Sequence, residues 1–486
     1  MKQRFILLML LAVAALLLAA CGEEITVPDF GTYVAVRSDY ATTEETVPSI
    51  ALKKHFAAAG MELKLTTDWD SDSASAPAAE IIVGDANRVE YGQFKEKLAH
   101  PDRSAAYGMI GEKIVLYAPT TEGLSDIVDR FAADMLTGAP TVSLKDGSVY
   151  EFTVSEQLCR TDGGEIMNTL DTKKLWGINA HHKGFPTYGA TNAKEHVRLA
   201  AELGSTIYRI NFNPVTEEDV AYIGQIADWC HEYGMQVMLV LDRRTGTPEE
   251  IAERMTFTAK HLAGRIDYFQ IFNETDIWCS KKDDGSFYNV SNWTGMTRDY
   301  YNPERVAICI ENMQAALQAF RAEAPEAKLV VNIGSRHFPM LDFYVEAGLS
   351  WDIIAFDIYD LDLWDHAAFF EVMEKRYPGY DFMVAECNYP ANSGAYTEEQ
   401  QEAWLTAFLK VMSDYKSERM LGVMIYELLD QPNIQVDETW NGEAHFGLIN
   451  TNADYSIAGP KRSYYAVQTL LCGGEASLDK VFTPVK

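Results

Sequence analysis

The stretch DYFQIFNETDIW, residues 267 to 278, runs an apolar segment directly into Asn273 and Glu274. A second stretch, DFMVAECNYP, does the same with Glu386. A carboxylate that closes a buried apolar run is held in place by the element behind it. Two such groups meeting at one bond can divide labour: one gives a proton while the other stays charged. Glu274 and Glu386 lie 112 residues apart in the chain (386 − 274), so only a fold that returns repeatedly to one end can bring them together.

From residue 172 onward the sequence has that character. Short apolar runs recur as LWGINA, TIYRINF, QVMLVLD, YFQIFNE, KLVVNIG, IIAFDIY, FMVAEC and GVMIYEL, with amphipathic stretches such as TEEDVAYIGQIADWCHEYG and TEEQQEAWLTAFLKVMSDY between them. Eight near-continuous apolar runs, each followed by a helical interval, predict a (β/α)8 barrel over 172–475. An open doubly wound sheet would call for a Gly-rich phosphate turn after one of the runs, and none follows any of them. Glu274 then ends the fourth strand and Glu386 the seventh. In an eight-membered ring these strands face each other, and both residues lie at the C-terminal mouth where barrels of this kind carry their sites.

Paired glutamates at these two strand ends, with Asn273 immediately before the first, resemble the clan A retaining glycoside hydrolases, a superfamily of (β/α)8 barrels that includes families 5, 39 and 53. The resemblance covers about residues 172 to 472. It implies that Glu274 is the acid/base, that Glu386 is the nucleophile, and that Asn273 donates to the sugar 2-hydroxyl. Retaining cleavage needs an acid for the leaving oxygen and a carboxylate for the anomeric carbon, about 5 to 5.5 Å apart. Arg209, late in STIYRINFN, matches the clan arginine that holds the nucleophile, and Tyr359, in AFDIYD, matches the sixth-strand tyrosine that touches it. The chain departs from the pattern twice: the third strand ends LVLDRR without a histidine, and the eighth ends GVMIYELLDQP without a sugar-stacking tryptophan.

Several further residues are candidates for substrate contact. Asn179, His181 and His182 follow the first strand, and Glu427 and Asp430 follow the eighth, where an acidic mouth suits a polyol or a cationic sugar. Trp278, Trp293, Trp364 and Trp440 fall in loops beyond strands four, six and eight, where indole faces stack on pyranose rings. A metal-dependent barrel hydrolase would carry His-x-His at its first strand end. Here AHH puts the two rings on opposite faces, and neither a zinc-ligand cluster nor a cofactor motif is expected.

The rest of the chain bounds these readings. With 71 acidic against 41 basic residues and a net charge of −30, a nucleic-acid partner is disfavoured. The start, MKQRFILLMLLAVAALLLAAC, has two basic residues, an apolar stretch and small residues before Cys21, and resembles a bacterial lipoprotein signal. The resemblance implies lipid on Cys21, a membrane-tethered body and a place at the cell surface or in the periplasm. A plain secretory signal or a short anchor helix would share the first two features. Residues 25–165 alternate strands and helices, as in EIIVGDANR and GLSDIVDRFAADMLTG, predicting a small α/β domain that resembles the accessory domain of hexosaminidases and α-glucuronidases. CRTDGGEIMNTLDTKK serves as linker. The six later cysteines show no disulfide framework and read as buried thiols. Two function classes follow: a β-glycosidase acting on oligo- or polysaccharides, or a non-catalytic carbohydrate-binding surface lipoprotein, which would need no paired carboxylates.

Overall fold

A computed structural model describes residues 25–69, 79–160, 170–280, 295–334, 336–359, 366–434, 442–473 and 476–485. The chain divides into two compact units, Met1–Glu156 with Lys480–Lys486, and Gln157–Asp479. Cys21, Trp293, Trp364 and Trp440 lie outside the described residues. Among those described, no helix is long and apolar enough to cross a membrane.

The first unit is built on β1 (Val34–Arg37), β2 (Lys64–Thr67), β3 (Glu80–Val83), β4 (Ala105–Ile110), β5 (Lys113–Tyr117) and β6 (Val149–Arg160). The sheet order is β17-β6-β4-β5-β3-β1-β2, with β17 (Ala476–Pro484) supplied by the far end of the chain. Strands β2, β1, β3 and β5 are parallel, and β4 runs antiparallel to both β5 and β6. Alternation decides which side chains meet which helix. Ala35, Ile81 and Leu116 point to one face, packed with Leu52, Phe56, Ile127 and Phe131 of helices Val47–Ala58 and Thr121–Met135. Val36, Ile82 and Val115 point to the other face, against Phe94 of helix Val89–Lys95. Three of these strands carry little periodic signal. KLTT of β2 is half exposed, AAYGMI of β4 is half small residues, and β17 belongs to a sheet begun 442 residues earlier (476 − 34). Gly108 of β4 is required, because a Cβ there would lie 2.0 Å from the Ser148 carbonyl oxygen.

The second unit is the expected (β/α)8 barrel. Its strands are β7 (Leu175–His181), β8 (Ile207–Asn211), β9 (Gln236–Leu241), β10 (Tyr268–Ile271), β11 (Lys328–Gly334), β12 (Ile353–Ile358), β13 (Asp381–Cys387) and β14 (Met420–Ile425). They close in sequence order, every neighbour pair parallel. Helices follow each strand, from Ala193–Glu202 after β7 to Arg462–Cys472 after β14. Three of them, Glu217–Glu232, Pro248–Leu262 and Glu398–Asp414, begin with capping boxes at Thr216, Thr247 and Thr397. A short antiparallel ribbon, β15 (Ile449–Thr451) with β16 (Ile457–Pro460), precedes the last helix.

Period-two alternation splits every barrel strand between two cores. Outward residues such as Phe269, Val331, Phe356 and Val384 pack under the helices. Inward residues form a floor of Ile207, Met238, Val330, Ile353, Ala355, Met383, Ala385 and Met424. One step nearer the C-terminal mouth the inward positions turn polar: Asn179, Arg209, Gln270, Asn332 and Asp357 are each at most 3% exposed. This polar layer is the base of the candidate site.

Candidate active site

Glu386 owes its inward direction to a register break. On β13, Met383 and Ala385 point into the barrel, so strict alternation would turn Glu386 outward into the apolar layer. The β12–β13 pairing shifts between Phe356 and Asp357, so that Val384 pairs with Phe356 but Glu386, not Ala385, pairs with Asp357. Such an irregularity re-aims a side chain. Glu386 is 7% exposed, and donors hold both of its oxygens. Arg209 Nη1 donates to Oε1 at 2.7 Å and the Tyr359 hydroxyl donates to Oε2 at 2.7 Å.

Arg209 is the hub of the polar layer. Besides Glu386, its guanidinium donates to Asn179 Oδ1 at 2.5 Å, to Gln270 Oε1 at 3.0 and 2.9 Å, and to Asn273 Oδ1 at 2.9 Å. A planar fork meets four acceptors at once, which an ammonium could not reproduce. Asn179 in turn donates to the carbonyls of Ala385 and Ile425. Gln270 donates to Asn273 Oδ1 at 2.8 Å. With its oxygen accepting from both Arg209 and Gln270, the Asn273 amide nitrogen is left as the donor of that side chain.

Glu274 stands three residues past β10, in a backbone that turns left-handed at Phe272 (φ 62) and again at Glu274 (φ 42). Neighbouring loops hold this turn. Asp242 accepts the Asn273 N–H at 3.1 Å, Arg244 donates to the Asn273 carbonyl at 2.6 Å, and Asn332 Oδ1 accepts the Glu274 N–H at 2.9 Å. The helix Thr275–Cys279 that follows is anchored by Asp276, which accepts the Gly334 N–H and contacts His337. The LVLDRR ending of the third strand therefore serves as a backbone grip on the Asn-Glu turn. The Glu274 carboxyl is pushed well above the usual carboxylate range, first by burial and then by the crowding of the Asp357 and Glu386 carboxyl groups, with Asp276 and Glu443 adding to them. The two glutamates thus differ in setting: one is gripped by a guanidinium and a phenol, the other is crowded by further carboxyl groups.

Other sequence candidates occupy different surroundings. Glu427 is fully buried beneath the mouth, and its oxygens are already engaged, Oε2 by the Tyr188 hydroxyl at 2.9 Å and Oε1 by Gln431 at 2.7 Å. In this structure it is cut off from solvent, with both oxygens engaged by protein groups. Asp430 pairs with the buried Lys461 at 2.8 Å, and burial raises its pKa to about 6. His181 stacks on Phe185, with ring centroids 3.9 Å apart, and lies 3.3 Å from the Tyr426 hydroxyl; burial lowers its pKa to about 3, so it is neutral. His182 turns away to the Tyr222 hydroxyl. Trp278 is half-buried against the barrel core, with Arg305 over its ring.

Residues that the sequence reading passed over complete the site. Tyr426 occupies the eighth-strand position, packs against Tyr359 and Phe446, and donates to Glu443 at 2.9 Å. Glu443 comes from a short 3-10 turn, Gly442–His445, and burial raises its pKa. Gln270, Asn332 and Asp357 carried a readable signal, since each is a polar residue inside an otherwise apolar strand. Glu443 carried none. The described cysteines Cys230, Cys279, Cys309, Cys387 and Cys472 are buried free thiols. Among the described residues, no group of three or more His, Cys, Asp or Glu side chains is arranged to hold a metal ion.

No family model and no curated protein matches the sequence. Among solved structures, a beta-glucosidase from Thermotoga maritima in complex with cyclophellitol is similar over 63% of this chain and 100% of its own, at 11% identity and a TM-score of 0.48. Virulence factor SghA from Agrobacterium tumefaciens is similar over 63% of this chain and 98% of its own, at 13% identity and a TM-score of 0.47. At such identity and score neither decides the chemistry, which rests on the residues themselves.

Proposed function

We propose that the chain is a retaining glycoside hydrolase that cleaves β-glycosidic bonds of oligo- or polysaccharides by double displacement. The observation that carries this reading is the contrast between the two glutamates at one barrel mouth. Glu386, with Arg209 and Tyr359 donating to its two oxygens, is set up as the charged nucleophile. Glu274, half-buried and crowded by carboxyl groups, is set up to keep its proton.

In the first step a Glu386 oxygen bonds to the anomeric carbon while the bond to the leaving oxygen breaks, and that oxygen takes the Glu274 proton. Ester formation removes the charge on Glu386, and with it part of the repulsion that kept Glu274 protonated. Glu274 then accepts a proton from water as the water attacks the anomeric carbon and the ester bond breaks. Two displacements restore the starting anomer. Asn273, its oxygen taken by Arg209 and Gln270, donates its N–H to the sugar 2-hydroxyl. In the same reading, the lipoprotein-like start supports lipid on Cys21 and a membrane-tethered enzyme at the cell surface or in the periplasm, and the first unit has no chemistry of its own.

Kinetics of two variants on aryl β-glycosides test the roles. Glu386→Ala should abolish turnover on every substrate. Glu274→Ala should lose about 100-fold or more on a phenyl glycoside, keep most of its first-step rate on a dinitrophenyl glycoside, and be rescued by azide. Equal losses on both substrates would overturn the assignment. Carbohydrate binding without turnover in the native protein would instead favour the non-catalytic lipoprotein.

A further inference from the structure

Two buried residues of the polar layer, Asn332 on β11 and Asp357 on β12, have no part in the steps above. Each is 1% exposed. They form a relay that ends on the Glu274 backbone: Asn332 Nδ2 donates to Asp357 Oδ1 at 2.9 Å, and Asn332 Oδ1 accepts the Glu274 N–H at 2.9 Å. The direction of the amide is forced. Because the Glu274 N–H can only donate, the carbonyl end of Asn332 must face it, and the NH2 end must face Asp357 Oδ1. A non-glycine residue at φ 42 is strained and persists only where its surroundings hold it. Asn332 supplies one of those holds.

The state of Asp357 follows from its neighbours. Its Oδ2 is buried with no hydrogen-bond partner among the described residues. Glu386 faces it directly across the β12–β13 pairing. Arg209 on β8 is committed to Glu386, Asn179, Gln270 and Asn273. The remaining ionisable neighbours, Glu274 and Asp276 beyond β10, Tyr359 on its own strand and the Cys387 thiol on β13, supply no cation. An ionised carboxylate with a bare buried oxygen beside a second carboxylate costs far more than the neutral acid, whose unpartnered oxygen carries no charge. Burial first, and then the Glu386 charge, push its pKa well above the usual range, outweighing the opposing pull of Arg209 and of the Asn332 hydrogen bond.

We propose that Asp357 is a positioning residue: a neutral carboxylic acid that, through Asn332, fixes the left-handed turn from which Glu274 reaches the leaving-group oxygen. This rests on Glu274 being the acid/base. It assigns the relay to proton delivery and not to the nucleophile or to sugar binding.

The test compares Asp357→Asn, Asp357→Ala and Asn332→Ala in the full chain. Asp357→Ala and Asn332→Ala should lose about 100-fold in kcat on a phenyl β-glycoside but only about threefold on a dinitrophenyl one, with KM little moved, because only the first substrate needs a positioned acid. Asp357→Asn, which keeps a neutral acceptor for Asn332, should rescue most of that loss and leave the pH profile in place. Loss in Asp357→Asn equal to that in Asp357→Ala, or a displaced pH profile, would show that a charged carboxylate is required and overturn the proposal. So would equal losses on both leaving groups. Amide hydrogen exchange at Glu274 gives a readout that does not depend on activity: protected in the native chain and Asp357→Asn, faster in Asp357→Ala and Asn332→Ala. If the native protein cleaves no glycoside, the enzymatic reading fails, and with it the proton-delivery role. Unchanged exchange across all variants would refute the relay even in an active enzyme.

Discussion

At the scale of single residues, the site is a problem in distributing protons among several crowded acids. For Glu274, burial first and then the Glu386, Asp276 and Glu443 carboxylates disfavour the ionised form. Two consequences carry definite signs. Removing the Glu443 charge removes one of those repulsions, so Glu443→Gln should move the alkaline limb of the kcat/KM profile toward lower pH. An unmoved limb would mean that Glu443 does not act on this proton. A carboxyl whose folded pKa is raised contributes stability in acid, and that contribution is lost as pH rises through the folded value. Glu274→Gln, neutral throughout, should therefore match the native protein in thermal stability near about pH 4 and exceed it increasingly above. The sequence alone exposed much of this set. Glu274, Glu386, Arg209, Tyr359, Asn179 and Asn273 are brought into one hydrogen-bonded layer or the turn beside it. The setting of Glu427 was not legible, because proximity along the chain to a strand end says nothing of which way the side chain turns, and this one turns inward to Tyr188 and Gln431.

At the scale of elements, the eight apolar runs were legible because a strand covered on both faces is apolar at nearly every position, and the exceptions marked the site. What was not legible is the irregularity that makes the site work. The β12–β13 register shift, which turns Glu386 inward beside Ala385, leaves no mark in an alternating pattern. Nor did LVLDRR announce that Asp242 and Arg244 would clamp the Asn273 backbone. The helices outside the barrel brace these strands, and their starts are written in the sequence as TPEE and TEEQ. Thr247→Ala and Thr397→Ala, each breaking a capping box, should lower the stability to denaturant by about 1 kcal/mol without changing kcat. A fall in kcat out of proportion to stability would show that these helix starts shape the mouth.

At the scale of the whole molecule, the chain joins a barrel to a smaller α/β unit that takes its outer strand β17 from the last residues. The small unit's helices were readable from their apolar spacing. Its last strand was not, since no local pattern tells a segment at residue 476 that its partner, β6, begins at residue 149. The proposed lipid on Cys21 sets where this assembly works: Cys21→Ser should release it from the membrane fraction or block its processing, and unchanged partitioning would point to a plain anchor. The central claim concerns what the barrel does, and proton NMR of the first sugar released from an aryl β-glycoside tests it most directly. Double displacement through Glu386 and Glu274 predicts that the β anomer appears first and mutarotates only afterwards. Initial release of the α anomer would contradict it.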